Sequence, residues 1–277
     1  MNLWLIWMIL LFGVCWGPVV VTAEGWRHSP PQWRTLGRGL SFSEIQVWWQ
    51  EEPVEHLAVV KIDPSVNSFR VCHHAPQSIV DWQQELAVPV VFNASYYCAG
   101  GRPCGLVIAD GRPLGPLKNP QMRGMFVAEP KGMSPDLPRA TILDLRLNPV
   151  SLHNFPWTQG VQSYPLLLDY KGRIRVAQTE KTAHRTVIAA DRNGNILVFN
   201  TRQSFFTLHQ LARFLKASAF EIDSALNLDG GTEAQLFIKT DDLEYFSPPM
   251  WKSDLYNFLE HKKFWLSTVI GVYPRRD

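Results

Sequence analysis

Short runs of apolar residues, separated by Gly, Asp, Asn and Pro, dominate the chain after residue 56. Such runs predict β-strands, and a two-residue turn between two of them predicts a hairpin. Hairpins are predicted to turn at Asp110-Gly111, Lys171-Gly172 and Asn193-Gly194. Further strands are predicted over 57–62, 69–72, 88–92, 225–229, 236–238 and 266–273. Residues 24–56 are rich in Trp and predict an irregular entry strand and loop, and residues 129–139 predict a loop.

Helical periodicity is confined to a few segments. Ser78 with Asp81 three residues later is typical of a helix start, and that helix is predicted to end near residue 87. Thr207 and Gln210 have capping-box spacing at the start of a second helix, whose apolar stripe runs to Leu215. A third helical stretch is predicted over 252–261.

These elements predict an α+β fold: a mixed, largely antiparallel β-sheet core with a few packed helices. No linker or internal repeat divides the chain, so residues 24–277 are predicted to form one domain. Residues 1–23 are predicted to be a signal peptide, because 3–16 is almost purely apolar and Val21-Thr22-Ala23 is a small-residue cleavage signature. The prediction is a secreted, periplasmic or otherwise extracytoplasmic protein with no membrane span after cleavage; an uncleaved anchor is the alternative.

Charge and cysteine content narrow the function class. Lys plus Arg is 27 and Asp plus Glu is 25, so the net charge of +2 gives no general attraction for nucleic acid. In an oxidising compartment, Cys98 and Cys104 are predicted to form a disulfide across a short Gly-rich loop, with pairing of either to Cys72 as the alternative. No Cys or His spacing indicates a metal site.

The segment Ala225-Leu226-Asn227-Leu228-Asp229-Gly230-Gly231 carries the strongest chemical signal. Alternate side chains of a strand share a face, so the two leucines are predicted to enter the core while Asn227 and Asp229 point the other way. The two glycines that follow allow another molecule to approach the backbone closely. This pattern is more typical of a site at the end of a strand than of packing.

Four blocks of the chain resemble the phosphodiester glycosidase family in the family's order. They are Val-Phe-Asn-Ala-Ser-Tyr-Tyr at 91–97, the Gly-initiated hairpin at 105–111, His-Arg-Thr with its strand at 184–191, and the Thr-Leu helix at 207–215 followed by 225–231. The last block is distinctive, whereas the hairpins alone are weak signals. This chain departs from the family pattern at Ala94 and at Thr232-Glu233-Ala234, where the family has glycines and serines.

The resemblance implies hydrolysis of a sugar-1-phosphodiester without a cofactor, although a role for a divalent metal stays open. It implies catalytic roles for Asp229, His184 and Arg185. The carboxylate acts at the anomeric centre, with Glu233 as second choice for that role, and Arg185 binds phosphate oxygens. The residues implied to bind substrate are Asn93, Tyr96, Asn227, Gly230, Gly231 and Glu233.

The predicted function is therefore a secreted hydrolase acting on a glycosyl phosphodiester in a polysaccharide, cell-wall polymer or glycolipid. The altered Gly-Gly-Thr-Glu segment leaves an alternative from another class: a non-catalytic carbohydrate- or phosphate-binding envelope protein on the same scaffold. The sequence does not fix the oligomeric state.

Overall fold

The computed structural model describes residues 20–21, 25–117, 119–132, 137–149, 151–249 and 264–275. The predicted helix over 252–261 lies outside these residues. So does the predicted signal segment 1–23, except for Val20–Val21, which forms a short strand against the next one. Within the described part of the chain, no helix has the length and hydropathy needed to span a bilayer.

Three antiparallel sheets make up most of the structure. The largest has nine strands in the order β1-β2-β4-β5-β15-β14-β16-β13, with β3 beside β4. Its strands are β1 Val20–Val21, β2 Trp26–His28, β3 Arg34–Gly37, β4 Leu40–Trp49, β5 Glu52–Ile62, β13 Leu166–Leu168, β14 Thr186–Asp191, β15 Ile196–Thr201 and β16 Ile222–Asn227.

Two five-stranded sheets complete the set. One has the order β11-β10-β12-β8-β9, with β8 Val107–Ala109, β9 Arg112–Leu114, β10 Gly124–Pro130, β11 Ala140–Asp144 and β12 Trp157–Ser163. The other has the order β18-β17-β7-β19-β6, with β6 Asn67–Gln77, β7 Val90–Asn93, β17 Leu236–Lys239, β18 Glu244–Ser247 and β19 Leu266–Pro274. The nine-stranded sheet therefore takes its strands from residues 20–62 and 166–227. One smaller sheet comes from the single stretch 107–163, and the other combines 67–93 with 236–274.

The central core lies between one face of the nine-stranded sheet and both smaller sheets. Ile188 and Leu226 of the large sheet share this core with Phe126 of one small sheet and Phe92 of the other, all fully buried. Alternation along each strand produces this arrangement, since Val187 and Ala189 face the opposite side. The predicted burial of Leu226 and Leu228 is confirmed, because both lie in this core with no exposed surface.

Two α-helices lie among the described residues, one against each of two sheets. Helix α1 (Ile79–Leu86) packs its Ile79 and Trp82 on the outer face of the β6-containing sheet. Helix α2 (Leu208–Ala217) packs on the second face of the nine-stranded sheet. Both predicted helix starts are confirmed: the Ser78 hydroxyl accepts from the Asp81 amide, and Thr207 and Gln210 form a complete capping box.

The prediction for residues 24–56 is wrong. These residues form β2, β3, the ten-residue β4 and the start of β5, in regular antiparallel pairing. The apolar residues of β4 change face along the strand: Leu40 and Phe42 enter the central core, whereas Ile45 and Val47 pack on the other side of the sheet, so no single alternation marks the whole strand. Strands β10, β11, β12 and β18 were also not predicted, and β10 runs into the predicted loop as far as Pro130.

The fold class needs a related correction. Every pairing between strands of the described residues is antiparallel, so the sheet is not mixed. The structure is β-rich, and α+β overstates its helix content. The hairpins at Asp110-Gly111 and Asn193-Gly194 are confirmed, whereas that at Lys171-Gly172 reduces to a single bridge between Leu168 and Ile174. The division into a signal and one domain stays a prediction.

Candidate active site

The signature strand β16 ends beside the start of β14. Asn227 is in register with Val187, and the Leu228 amide donates to the Thr186 carbonyl at 2.9 Å. The Gly231 amide then donates to the His184 carbonyl, also at 2.9 Å. The segment 229–231 therefore runs alongside residues 184–185, which places the acidic and basic parts of the predicted site next to each other.

Asn93, at the end of β7, joins a second sheet to this place. Its Nδ2 donates to the Asp229 carbonyl at 2.8 Å, and its Oδ1 accepts from the Gln235 amide at 3.1 Å. The Asp229 amide in turn donates to the Ala94 carbonyl at 3.0 Å. Because both groups of the buried Asn93 amide hold backbone, the structure gives Asn93 a positioning part, and its substrate contact stays a prediction.

Asn227 lies at the centre of a small network of aromatic and amide groups. Its Nδ2 donates to the Tyr96 hydroxyl at 2.9 Å and to the Tyr164 carbonyl at 3.1 Å. The Tyr96 and Tyr164 rings pack with centroids 4.7 Å apart. Asn227 Oδ1 is buried and has no hydrogen-bond partner within the described structure. Such an orphaned acceptor is uncommon and indicates a place where a ligand hydroxyl can bind.

Arg185 is a buried cation, 6% exposed, at the N-terminal end of β14. Its Nη2 donates to the Lys181 carbonyl at 3.1 Å, while its buried Nε has no hydrogen-bond partner among the residues described. Burial lowers the pKa of Arg185, and the nearby Tyr96 oxygen opposes this. A Cβ added at Gly230 would lie 3.4 Å from Arg185 Nη1, so the glycine leaves room beside the guanidinium.

The Asp229 carboxyl has the opposite electrostatic environment. Burial raises its pKa to about 7, the neighbouring Glu233 carboxylate adds to the rise, and the Gly230 amide, which donates to Oδ1 at 2.9 Å, opposes it. Across the described residues, no ion pair joins Asp229 to Arg185. Both groups nevertheless act on Tyr96: burial chiefly raises the pKa of its hydroxyl, Asp229 raises it further, and Arg185 lowers it.

Glu233 forms the other side of the acidic part of the site. Its carboxylate accepts from the Tyr97 hydroxyl at 3.1 Å and from the Thr232 hydroxyl at 2.7 Å. Thr232 and Glu233 are both half-buried and belong to a short 3₁₀ turn that starts at Gly231, whose φ of 73° favours glycine. Two of the four positions that depart from the family pattern, Thr232 and Glu233, are therefore hydrogen-bonded to each other close to Asp229 in the chain.

The predicted disulfide is confirmed and borders the site. Cys98 and Cys104 are bonded, and the Cys98 amide donates to the Arg102 carbonyl across the small loop that they close. Tyr97, the residue before Cys98, is the one that reaches Glu233. Cys72 is a free thiol, and burial raises its pKa to about 11. The alternative pairings with Cys72 are thus excluded by the structure.

The structure brings every predicted site residue to one region. His184 is half-buried there; burial lowers the pKa of its imidazole, and a hydrogen bond with the Thr201 backbone opposes this. The catalytic and binding roles of the predicted site residues stay predictions. Sequence reasoning missed Tyr164, whose carbonyl and ring both belong to the network; its position just before Pro165 at the start of a strand was the available signal. No group of three or more potential metal ligands lies in the described part of the chain.

Comparison with known proteins shows which family the chain belongs to. Residues 87–273 match the sequence profile described as phosphodiester glycosidase, and they include all the residues assembled above. The chain belongs to the phosphodiester glycosidase family. The family match begins just before β7 and ends in β19, so it leaves out strands β1–β6 and helix α1. Among curated proteins, no relative is similar enough in sequence to count as a match.

Solved structures show the same fold at low identity. A hypothetical protein from Synechocystis superposes with a TM-score of 0.60 and 16% identity, covering 89% of this chain and 64% of that one. The zebrafish N-acetylglucosamine-1-phosphodiester alpha-N-acetylglucosaminidase catalytic domain, auto-inhibited by its pro-peptide, gives a TM-score of 0.57 and 18% identity, covering 92% of this chain and 89% of that one. The chain thus spans less than two thirds of the Synechocystis protein.

Proposed function

We propose that this chain is a hydrolase that cleaves a sugar-1-phosphodiester at the anomeric carbon–oxygen bond and releases a phosphomonoester. One observation carries the proposal: the segment that carries Asp229, whose pKa is raised to about 7, runs alongside the segment that carries Arg185, a buried guanidinium with no carboxylate partner among the described residues. A buried cation is costly unless an anion accompanies it, so the Arg185 environment suits a bound phosphate. Family membership supports the same chemistry.

Asp229 is proposed to act at the anomeric carbon, as nucleophile or as the base that activates water. Either role requires the ionised carboxylate, and an oxocarbenium-like transition state is stabilised by that negative charge. A pKa of about 7 leaves the group basic enough to take a proton and still largely ionised just above neutrality. Glu233, tied to Tyr97 and Thr232, keeps the pKa of Asp229 high and is the second candidate for the same role.

The leaving group of this reaction is a phosphomonoester, which departs as an anion and needs little protonation. Arg185 is proposed to stabilise that anion, because its planar guanidinium donates to two phosphate oxygens at once. His184, on the adjacent position, is proposed to donate or relay a proton. The burial that lowers its pKa keeps the imidazole neutral at neutral pH, which is the form that relays protons.

The sugar is proposed to lie against Tyr96 and the end of β16. The unpartnered Oδ1 of Asn227 accepts from a sugar hydroxyl in this arrangement, and the open backbone at Gly230 and Gly231 allows the ring to approach. Residues 1–23 are proposed to direct export, which agrees with the disulfide between Cys98 and Cys104. A polysaccharide, cell-wall polymer or glycolipid is then the source of the diester.

The direct test is incubation of the purified mature chain with a panel of sugar-1-phosphodiesters that differ in sugar and in alcohol. We expect release of a free sugar and a phosphomonoester, without inorganic phosphate, because the bond broken lies on the sugar side. Solvent labelled with ¹⁸O should place the label in the sugar and not in the phosphate. Label in the phosphate would show phosphoryl transfer and would reject the proposal.

A binding protein on the same scaffold is the second candidate, and the Thr232–Glu233–Tyr97 unit favours it. Hydrogen bonds from two hydroxyls hold the Glu233 carboxylate at the positions where the family pattern is altered. Saturable binding of the diesters by calorimetry, with no product after prolonged incubation, would support a binding role. Turnover that depends on Asp229 would exclude it.

A further inference from the structure

A cavity lies next to the candidate site, at one end of the β10-containing sheet. Gly124 at the start of β10 is in register with Asp144 at the end of β11 and with Ser163 at the end of β12. The residues that follow these strand ends are therefore side by side, about 5 Å from strand to strand. Tyr164, which follows Ser163, accepts from Asn227 in the site. The near edge of the cavity is thus about two strand-to-strand spacings from Asn227.

This cavity has a volume of about 480 Å³, within the range of roughly 300–1,000 Å³ that is common for small-molecule sites. Its wall is mostly apolar, and the exposed Leu117, 61% accessible, lies at its mouth. The apolar residues that line it are Leu106, Leu117, Pro120, Met122, Leu145 and Pro149.

The polar amides of this cavity are already used by the protein. Gln162 Oε1 accepts from the Leu106 amide at 2.8 Å, and its Nε2 donates to the Met122 carbonyl at 2.7 Å and the Asn119 carbonyl at 3.2 Å. Asn119 Nδ2 donates to the Cys104 carbonyl at 2.9 Å, and its Oδ1 accepts from the Gln121 amide at 3.0 Å. A cavity whose amides hold backbone offers little to sugar hydroxyls and much to hydrocarbon.

Two arginines line the same cavity. Arg146 pairs with the nearly buried Asp144 carboxylate through Nε at 3.2 Å and Nη2 at 2.9 Å. Arg123, in contrast, uses only its Nε within the described structure, toward the Pro120 carbonyl at a long 3.4 Å. No acidic residue is among the described residues that line the cavity, so its lining is positively charged, although the neighbouring Asp144 acts on both arginines and Asp169 acts on Arg146.

We infer that this cavity binds the leaving-group side of the substrate, and that this side is an alkyl or polyprenyl phosphate, so that the diester is a lipid-linked sugar phosphate. The inference rests on the proposed function, because it extends from the anomeric centre beside Asp229. The phosphate bound by Arg185 lies on the Tyr164 side of the cavity, where Arg123 is a second cation, and the hydrocarbon fills the apolar wall. The position of the cavity, the charge of its arginines and its apolar lining all fit this one occupant.

Binding tests the inference without catalysis. We expect dodecyl phosphate to bind the chain by calorimetry at least tenfold more tightly than inorganic phosphate, and equally well in the Asp229→Asn variant. Arg123→Ala should weaken binding by roughly tenfold to a hundredfold, because one charge-assisted contact is lost. Arg139→Ala is the matched control, since Arg139 precedes the opposite end of β11 and lines a different cavity.

A second pair of matched variants tests the apolar wall of the cavity. Leu117→Asn should remove most of the gain from the alkyl chain, whereas Leu147→Asn should not, because Leu147 is similarly exposed but does not line the cavity. In wild-type chain, affinity for alkyl phosphates should rise by up to about fourfold per added methylene until the cavity is full. Equal affinity for methyl and dodecyl phosphate, or equal loss in Arg123→Ala and Arg139→Ala, would overturn the inference.

Kinetics separate this inference from the proposed function. If both hold, KM for sugar-1-phosphoryl alkyl diesters falls with chain length, and Leu117→Asn removes this dependence, whereas Leu147→Asn keeps it. Turnover of methyl and dodecyl diesters with equal KM would reject the lipid site and keep the hydrolase. Tight, Arg123-dependent binding of dodecyl phosphate with no turnover of any diester would reject the hydrolase and keep the lipid phosphate site.

Discussion

Asp229 and Arg185 lie in adjacent segments, and burial disfavours the charged form of both side chains. It raises the pKa of Asp229 and lowers the pKa of Arg185. The carboxyl of Asp229 is pushed toward its neutral form by burial and by Glu233, and Arg185 is buried with no carboxylate partner in the described part of the chain. A direct ion pair between them would relieve both effects, and it is not formed. In the proposed reaction Asp229 accepts a proton or attacks the sugar while Arg185 binds the phosphate, and these two roles require separate groups.

The pH dependence of activity follows from Asp229. Its pKa is about 7, and the proposed role uses the ionised form, so kcat/KM should fall about tenfold per pH unit below 7 and level off above it. Initial rates at low substrate concentration across the pH range measure this. A profile that is highest at acid pH and falls as pH rises through 7 would make Asp229 a general acid instead.

Substitution of Asp229 should separate activity from stability. Asp229→Asn removes the charge that the reaction needs, so kcat should fall by about 10²–10⁴-fold. The folded-state pKa of the carboxyl lies above its ordinary value of 3.8, so its ionisation costs stability as pH rises from 3.8 to about 7, and the full cost remains above that. The variant lacks this cost and should melt at an equal or higher temperature at alkaline pH.

The exposed Asp241→Asn is the matched control, and neither its rate nor its melting temperature should change. Near-normal turnover by Asp229→Asn would remove Asp229 from the mechanism. A variant that unfolds instead would show that the carboxyl is needed for the fold.

At the scale of elements, the sequence predicted correctly those features that depend on residues close together in the chain. The Asp-Gly and Asn-Gly turns specify their hairpins because the turn residues alone set the chain reversal. The capping box specifies α2 because Thr207 and Gln210 are three residues apart. The long β4 was missed because its stability comes from pairing with β5 and burial against the core, which no single segment records.

The cap of α2 gives a prediction of stability alone. Thr207→Ala removes the hydroxyl that accepts from the Gln210 amide at 3.2 Å, so the free energy of unfolding should fall by about 0.5–2 kcal/mol. Urea denaturation followed by circular dichroism measures this. Thr207→Ser keeps the hydroxyl and should lose much less, and kcat should stay unchanged in both variants. An equal loss in both would assign the effect to the methyl group.

At the scale of the whole molecule, the site depends on the way that the three sheets meet. The β10-containing sheet approaches β16 closely at Gly124, where an added Cβ would lie only 2.3 Å from Leu226 Cδ1. The β6-containing sheet reaches the same strand end through Asn93 and the Asp229 carbonyl. Three sheets therefore fix the position of one short segment, which keeps Asp229 and Arg185 at a constant separation.

A methyl group at Gly124 should disturb both packing and function. Gly124→Ala overpacks the contact with the fully buried Leu226, so it should destabilise the fold by about 1–3 kcal/mol and lower kcat by shifting β16. Gly37→Ala is the control, since nothing lies within 4 Å of a Cβ there. Urea midpoints and initial rates of both variants measure the effect. Unchanged stability in Gly124→Ala would show that the β10-containing sheet can move away from β16 at this contact without loss of stability.

The sequence alone determined the hairpin turns, the two helix starts, the disulfide and the candidate residues of the site. Each of these depends on residues that are near neighbours in the chain or on a family pattern. Tertiary structure alone decided that Asn93, Arg185 and Asp229 meet, that Tyr164 joins them, and that a cavity with Arg123 lies alongside. These contacts join strands of three sheets that are distant in sequence, and their geometry comes from core packing between sheets, which residue patterns do not record.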